Sequence, residues 1–360
     1  MEENEKIKLL LVGDITWPMY VNAFYYAAKD MDDVEAELMD CGKLNTLEWE
    51  TYPKWSWRMF YKAEYKFSIG PDVAALDRRL LSLVKRKKFD AVFLYSARNV
   101  GWRTLKKLRD MGVIVAMYCN DDPFSDYYPS YFWRNIIKGA RYSDITYSFR
   151  LNNIEQYRSA GAERVKLLRA YYNEDRSYRI EGENPLPFHV PKVIFLGHTE
   201  NDERMEYLDA LVERGIKIGV RETPEWMRFA EGKDVTVFHE TVKQYNAIIN
   251  AAEIAIVFLS KLNHDTYTRR CFEIPITGTM MLAPYNDDLA SLFREGEEIV
   301  FYRSKEDFVA KVEYYLVHSE ERRRIGENGR KRLLKDGHGA KDRMRQVIDD
   351  LKEVMAKSER

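Results

Sequence analysis

Short apolar segments rich in β-branched and aromatic residues alternate with longer segments of helical periodicity, in two successive series. The first series predicts six strands, at 7–13, 34–40, 89–96, 112–120, 144–149 and 165–171. The second series predicts six more, at 192–198, 216–222, 235–239, 252–260, 278–284 and 297–303. Continuous apolar strands separated by helices are typical of a parallel sheet that helices cover on both faces. We therefore predict an α/β fold: two Rossmann-like doubly wound domains facing across a cleft, with C-terminal helices.

A change of composition separates the two series. The segment 173–190 is polar and contains proline and glycine, so we predict a linker there. The first domain then spans 1–172 and the second spans 191–335. The charged residues at 336–360 are predicted to form a C-terminal helix.

Composition and charge narrow the class of protein. The chain has 57 basic and 58 acidic residues among 360, and this balance disfavours a dedicated nucleic-acid binder. Cys41, Cys119 and Cys271 are far apart and form no C-x-x-C pair, so we expect a reducing compartment and no metal site. No segment has the apolar length of a spanning helix, and the N-terminus lacks the apolar region of a signal peptide. We expect a cytoplasmic protein.

Aromatic and basic residues are concentrated in one segment, YPKWSWRMFYKAEYKF at 52–67. Aromatic rings beside basic side chains suit a lipid headgroup interface. They equally suit a protein contact or an aromatic-rich core helix. One hypothesis is therefore peripheral membrane contact through this segment, which would place the protein at the inner face of the membrane.

Ligands of doubly wound folds bind beyond the carboxyl ends of the strands, so candidate residues directly follow strands. After the first strand, Gly13 allows a tight turn and Asp14 can cap the following helix. The absence of G-x-G-x-x-G disfavours a dinucleotide site there. After the fourth strand, Asn120, Asp121 and Asp122 can contact a polar ligand or act as a base. An Asp-Asp-Pro corner is also a routine helix start, so both interpretations stay open.

In the second domain, two loops after strands carry candidate residues. Gly197 permits close approach of a ligand to the backbone, and His198 follows it at the start of a loop that leads into a helix. A surface position on that helix is expected for Arg204. Further along the chain, Lys261, Arg269 and Arg270 bring positive charge towards one place.

Glu273 lies in an otherwise apolar corner, one helical turn after Arg269 and Arg270. Pro275 weakens the helix, and Gly278 is expected to end it. One interpretation is a local Arg–Glu ion pair. The other is a sugar-nucleotide site, with cations for the diphosphate and a fixed carboxylate for ribose hydroxyls.

These residues carry a family resemblance. The stretch RRCFEIPITGTMMLAPYNDD at 269–288, with the residues that follow, resembles the C-terminal signature of CgeB-type glycosyltransferases. That group has the GT-B fold, and its donor domain is like that of group 1 transferases. The resemblance covers 192–345, whereas the N-terminal half matches only in organisation and in NDDP.

The resemblance implies roles for several residues. Glu273 matches the glutamate that binds the donor ribose, and Arg270 matches the arginine expected near the diphosphate. Gly197 matches the glycine after the first strand of the donor domain. Asn286 and Asp287 occupy a loop that often contacts the sugar or phosphate. The resemblance also implies an acceptor-side N-terminal domain and a last helix that crosses back to it.

Two departures from the group 1 pattern affect the mechanism. A second glutamate usually precedes the first with seven residues between them, and here the corresponding acid is Asp265. Many members also use a histidine of the N-terminal domain, but all six histidines of this chain follow residue 188. Asp121 and Asp122 are therefore the candidates for a catalytic group in that domain.

The sequence thus predicts a glycosyltransferase that moves a sugar from a nucleotide-diphosphate donor to an unidentified acceptor. Charge on the leaving group would be stabilised by cationic side chains without a metal or other cofactor. Two alternatives stay open: another GT-B enzyme, such as a sugar-nucleotide epimerase, and a noncatalytic two-lobed protein that binds a nucleotide or sugar. Product formation separates these alternatives from a transferase.

Overall fold

The structure is a computed structural model that describes residues 6–42, 54–239 and 244–358. Tyr52 and Pro53, at the start of the predicted aromatic segment, lie outside the described residues. The chain divides into two compact units. The first comprises Met1–Arg169 together with Ala340–Arg360, and the second comprises Ala170–Gly339.

The first unit is built on a six-stranded parallel sheet. Its strands are β1 (Ile7–Gly13), β2 (Val34–Asp40), β3 (Ala91–Tyr95), β4 (Ile114–Cys119), β5 (Ile145–Ser148) and β6 (Val165–Leu167). Their order across the sheet is β2-β1-β3-β4-β5-β6. Its first helices are α1 (Val21–Lys29), α2 (Trp55–Phe67), α3 (Pro71–Lys87), α4 (Trp102–Asp110), α5 (Arg134–Gly139) and α6 (Asn153–Ser159). The order reverses between β1 and β3, so the carboxyl ends of these strands flank the crevice where ligands bind in this type of sheet.

The second unit repeats this plan with a different strand order. Its strands are β7 (Val193–Phe195), β8 (Ile218–Arg221), β9 (Val235–Phe238), β10 (Ile254–Ile256), β11 (Met280–Pro284) and β12 (Val300–Tyr302). They are arranged as β12-β11-β10-β7-β8-β9, with every pair parallel. Its helices are α7 (Arg204–Glu213), α8 (Pro224–Ala230), α9 (Gln244–Ala251), α10 (Arg270–Glu273), α11 (Asp287–Leu292), α12 (Lys305–Val317) and α13 (Ser319–Asp336). Here the order reverses between β7 and β10, which places the candidate loops after these strands beside one another.

The last helix, α14 (Ala340–Ser358), belongs to the first unit. Met344, Val347, Ile348 and Leu351 are fully buried along one face, at the spacing expected of a single apolar stripe. Charged groups on the same helix bind the sheet: the hydroxyl of Tyr147 donates to an Asp350 oxygen at 2.9 Å. The helix is therefore an integral layer of the first unit.

All twelve predicted strands are present, most of them shorter than predicted by one to six residues. The prediction of two doubly wound parallel sheets is therefore confirmed. The segment predicted as a linker packs along α9 of the second unit. There the backbone N–H groups of Tyr178 and Ile180 donate to the side chains of Asn246 and Asn250, at 3.2 and 2.8 Å.

Candidate functional site

A buried arginine joins the two loops that meet where the strand order of the second unit reverses. Arg204 is only 3% exposed. Its guanidinium donates to the His198 carbonyl at 2.6 Å, to both carboxylate oxygens of Asp202 at 2.7 Å, and to the Leu259 carbonyl at 3.4 Å. The expectation of a surface position for Arg204 was therefore wrong. Helical periodicity predicts how a side chain is oriented on its own helix, but the carbonyls that Arg204 binds come from the loops.

Gly197 is fixed by packing. A Cβ atom at this position would lie 2.2 Å from the ring of Phe195, so a side chain cannot be accommodated without moving that ring. The Gly197 carbonyl accepts a hydrogen bond from the indole N–H of Trp226 at 2.9 Å. The glycine leaves room for the Phe195 ring just beyond β7, and His198 follows it directly.

His198 lies among cationic side chains. Its Nε2 atom is 3.1 Å from an Arg221 guanidinium nitrogen. Burial lowers the pKa of His198, the positive charges of Arg221, Arg270 and Arg204 lower it further, and Glu225 opposes them. A neutral imidazole beside guanidinium groups is an environment that favours an anionic ligand. Arg221 was missed by the sequence analysis, although its position at the carboxyl end of β8 was an available signal.

Glu273 is buried, and each of its carboxylate oxygens has a partner in the structure. Its carboxylate forms an ion pair with Arg269, one turn earlier, and accepts a hydrogen bond from the Tyr245 hydroxyl at 3.1 Å. The side chain of Glu273 is 7% exposed and that of Arg269 is 20% exposed. Each carboxylate oxygen can still accept a second hydrogen bond, so the predicted contact with ribose hydroxyls is compatible with these partners and stays a prediction.

Arg270 differs sharply from the arginine before it. Its guanidinium carbon lies 5.9 Å from the centroid of the Phe195 ring, and its Nε atom is buried with no hydrogen-bond partner. Among the residues that the structure describes, none forms an ion pair with Arg270. A half-buried guanidinium without an acidic partner, close enough to His198 to lower its pKa, can bind an anion.

The backbone that follows Glu273 is constrained by a proline and by two closely packed glycines. Helix α10 ends at Glu273, and Pro275 begins a single 3-10 turn that extends to Thr277. Gly278 then adopts φ of 85°, a left-handed conformation that favours glycine. Gly326 of α13 packs so closely that an added Cβ would lie 2.1 Å from the Gly278 carbonyl oxygen. The predicted roles of Pro275 and Gly278 are thus confirmed.

The loop after β10 orients its charged side chains in different directions. Lys261 is exposed and its ammonium pairs with Glu203 at 2.5 Å. Its backbone N–H donates to Glu200 at 3.2 Å. Asp265 is half-buried, and its backbone N–H donates to the Ser260 carbonyl at 2.9 Å. Of the three cations predicted to converge, Lys261 and Arg269 each have a carboxylate partner, whereas Arg270 has none in the part of the chain that the structure describes.

The loop after β11 is held by its asparagine. The side chain of Asn286 caps α11 by accepting from the Leu289 N–H at 2.9 Å, and it donates to the Thr266 carbonyl at 2.9 Å. Asp287 is exposed and accepts from the Tyr285 hydroxyl at 3.0 Å. Asn286 thus fixes the position of this loop against the loop after β10, and Asp287 has an oxygen available to solvent.

In the first unit, the two adjacent aspartates after β4 have different environments. Asp122 is 2% exposed, and one of its oxygens accepts from the Phe124 N–H and the Asn153 side chain, both at 2.9 Å. No hydrogen bond to the Asp121 carboxylate is found among the described residues. Burial raises the pKa of Asp121, and the nearby charge of Arg150 opposes that shift. Asp121 therefore has the environment of a general base, whereas Asp122 holds the turn.

The proposed alternative for this corner, a helix start at Pro123, is not observed. The next helix, α5, begins only at Arg134. Asn120, the residue before Asp121, accepts a hydrogen bond at its side-chain oxygen from the Ser96 hydroxyl at 2.5 Å. Ser96 has φ of 44°, a strained conformation for a residue other than glycine, and such conformations cluster at functional sites.

Gly13 and Asp14, at the end of β1, form a tight turn. An added Cβ at Gly13 would lie 2.8 Å from Val21, so α1 packs directly on this glycine. Asp14 accepts from the Thr16 N–H at 2.8 Å. The expectation that Asp14 caps the following helix was wrong, because α1 begins at Val21, seven residues further on.

Within 6–42, 54–239 and 244–358, no three His, Cys, Asp or Glu side chains gather as a metal site would require. No helix in these ranges is long and apolar enough to cross a membrane. Cys41, Cys119 and Cys271 are buried free thiols.

Comparison with known proteins identifies a domain type for much of the second unit and for part of α14. Residues 204–349 match the family model described as Glycosyl transferase-like. No curated protein matches the chain. The expectation of a glycosyltransferase is confirmed at the level of this domain.

Solved structures establish the GT-B fold. Sucrose-phosphate synthase from Thermosynechococcus elongatus is similar over 98% of this chain and 100% of its own, with a TM-score of 0.70 and 11% identity. HepE of Anabaena, in complex with UDP and glucose, is similar over 96% and 100%, with a TM-score of 0.64 and 10% identity. A putative UDP-N-acetylglucosamine 2-epimerase from Listeria monocytogenes is similar over 98% and 97%, with a TM-score of 0.59 and 10% identity.

Proposed function

We propose that the chain transfers a sugar from a nucleotide-diphosphate sugar to a hydroxyl-bearing acceptor. The observation that carries this proposal is Arg270, a half-buried guanidinium with no acidic partner among the described residues. Its charge and that of Arg221 both act on His198, which follows β7 where the strand order reverses. The match of residues 204–349 to a glycosyl transferase-like family supports it. So does the bound UDP of HepE, which shares the fold.

The donor is held by two kinds of contact. Arg270 and Arg221 bind the diphosphate, because a guanidinium fork matches two phosphate oxygens at once. His198 adds a third contact to the same anion. Glu273 accepts hydrogen bonds from the ribose hydroxyls, with Arg269 and Tyr245 fixing its orientation.

Transfer requires stabilisation of the leaving diphosphate and removal of a proton from the acceptor. Arg270 stabilises the charge that develops on the diphosphate when the bond between the sugar and the phosphate oxygen breaks. This makes the reaction independent of a metal. Asp121 accepts the acceptor proton, since its carboxylate has no hydrogen bond to the described residues and its raised pKa brings it nearer to neutral pH. Asp122 is structural and takes no part in the chemistry.

The motif around Glu273 suggests a finer assignment. The segment Arg270 to Pro275, followed by Gly278, resembles the CgeB-type glycosyltransferases, and we place the chain in that group. Three buried free cysteines agree with a reducing compartment, so we assign the reaction to the cytoplasm.

An epimerase is the second candidate, because a putative sugar-nucleotide epimerase shares the fold. Such an enzyme changes the donor sugar with no acceptor present. A noncatalytic binding protein would change neither donor nor acceptor. Analysis of the sugar and of the released nucleotide, with and without acceptor, therefore separates the three functions.

The test begins with thermal unfolding in the presence of UDP, GDP, ADP, dTDP and CMP, with wild type and Arg270→Met. A nucleotide at about a hundred times its Kd stabilises the native state by about 2.7 kcal/mol. This corresponds to a rise in Tm of about 5–10 °C for a unit the size of Ala170–Gly339, which carries the donor-site residues. The matching nucleotide sugar is then incubated with candidate acceptors, and transfer is followed by nucleotide release. No stabilisation by any nucleotide would contradict the proposal.

A further inference from the structure

Helix α2 leaves most of its large apolar side chains in solvent. Trp55 is 74% exposed, Trp57 is 49% exposed, and Met59 and Phe60 are each 46% exposed. The only buried side chain on the helix is that of Glu64. A helix on the surface of a globular unit normally turns its apolar stripe inward. An aromatic surface of this kind marks a contact with a partner.

The helix is nevertheless firmly attached to the first unit. Glu64 accepts hydrogen bonds from the backbone N–H groups of Asp72 and Val73, at 2.7 and 3.1 Å, and so caps α3. Arg98 donates to the Tyr65 carbonyl at 3.2 Å, and its guanidinium lies 5.0 Å from the centroid of the Tyr65 ring. The inner face of α2 is thus held by polar contacts, and its outer face is presented in a fixed orientation.

The outer face combines apolar and cationic side chains. Trp55, Met59, Lys62 and Lys66 follow one another at spacings of four, three and four residues, so they lie on one side of the helix. All four side chains are exposed. Glu64 is the only acid of α2, and it is turned inward. In a chain of net charge −1, the exposed charged side chains of α2 are therefore all basic, which is complementary to an anionic partner.

We propose that α2 docks the chain on an anionic lipid bilayer. Trp55 and Met59 enter the boundary between headgroups and acyl chains, and Lys62 and Lys66 contact lipid phosphates. Tryptophan at the end of such a helix suits the headgroup level, where the ring is apolar and its N–H can reach water. This inference does not depend on the donor site, so either can fail without the other.

The experiment is co-sedimentation of the full chain with vesicles of phosphatidylcholine alone and with about one third phosphatidylglycerol. The wild type should bind the anionic vesicles, and binding should weaken as salt shortens the Debye length. Lys62→Glu/Lys66→Glu should lower the partition coefficient at least about thirtyfold, because each basic residue contributes roughly fivefold. The matched control is Lys331→Glu/Lys335→Glu, an exposed pair with the same spacing at the end of α13.

The apolar contribution is tested separately. Trp55→Ala should weaken binding to anionic vesicles about tenfold, since an interfacial indole is lost. Val317→Ala is its control, because Val317 is 76% exposed and Trp55 is 74% exposed. Unchanged Tm values would show that both variants of α2 are folded.

Three results would overturn the proposal. The first is no binding of the wild type to anionic vesicles even at low salt. The second is an equal loss of binding in the α13 control, which would show that net charge alone governs the association. The third is concentration-dependent dimerisation that Trp55→Ala abolishes while vesicles stay unbound, because a second copy of the chain would then cover α2.

Discussion

Two neighbouring arginines, Arg269 and Arg270, should respond in opposite ways to the same substitution. Arg269 pairs with the buried carboxylate of Glu273, whereas Arg270 has no acidic partner among the described residues. We expect Arg269→Met to destabilise the fold and Arg270→Met to weaken nucleotide binding without loss of stability. The two sites are adjacent in sequence and have the same wild-type residue, so each variant is the control for the other.

The magnitudes follow from the contacts. Arg269→Met leaves Glu273, 7% exposed, with the Tyr245 hydroxyl as its one remaining partner among the described residues. Removing one partner of a buried ion pair costs about 3–5 kcal/mol. At about 2–4 °C per kcal/mol for a unit the size of Ala170–Gly339, the Tm of that unit should fall by at least about 6 °C. Arg270→Met removes a guanidinium whose Nε has no hydrogen bond, so Tm of the ligand-free protein should change little or rise.

For nucleotide binding we expect the opposite ranking, in which Arg270→Met has the larger effect. A hydrogen bond to a charged group contributes about 1.5–3 kcal/mol, so Arg270→Met should raise the Kd for the stabilising nucleoside diphosphate about ten- to a hundredfold or more. The assay is isothermal titration calorimetry, combined with thermal unfolding of the ligand-free proteins. The reasoning is refuted if Arg270→Met binds as tightly as wild type, or if Arg270→Met rather than Arg269→Met lowers Tm.

Three further predictions concern single side chains. Asp121→Asn should lower the transfer rate about a hundredfold or more at unchanged Tm, whereas Asp122→Asn should lower Tm; equal effects on the transfer rate would contradict the assignment of Asp121. The lowered pKa keeps His198 neutral at pH 7.5. A bound diphosphate favours the protonated imidazole. Affinity for the nucleotide sugar should therefore rise as pH falls below about 6.5. His198→Gln should flatten this dependence in calorimetric titrations, and a pH profile identical to that of wild type would exclude the role. Arg204→Met should lower stability by about 3–5 kcal/mol because it leaves Asp202 buried without its partner, and an unchanged denaturation midpoint would contradict this.

The fold was predictable because it depends on the pattern of apolar and polar residues, to which many positions contribute. Most strands are runs of largely apolar residues, and a mistake at one or two positions leaves the alternation of strands and helices intact. The local corner at 273–278 was also predictable, because Pro275 and Gly278 act on the backbone through their own covalent structure. These features need no knowledge of distant partners.

The site was less predictable because its properties depend on single tertiary contacts. Arg204 reaches the Leu259 carbonyl, and Arg221 reaches His198 from a neighbouring strand. Neither pairing has a characteristic spacing in the sequence. Asp121 and Asp122 are chemically identical, and tertiary contacts such as that of Asp122 with the Asn153 side chain distinguish them. Sequence reasoning thus found the loops that form the site, but it could not decide which side chains in them have partners.

The most direct test of the central claim is a crystal structure of the chain with the nucleoside diphosphate that stabilises it. The account predicts the diphosphate beside His198, with oxygens about 2.7–2.9 Å from nitrogens of Arg270, and ribose hydroxyls on Glu273. The account would be contradicted by a nucleotide bound elsewhere, with the Arg270 guanidinium still near the Phe195 ring and in contact with no phosphate.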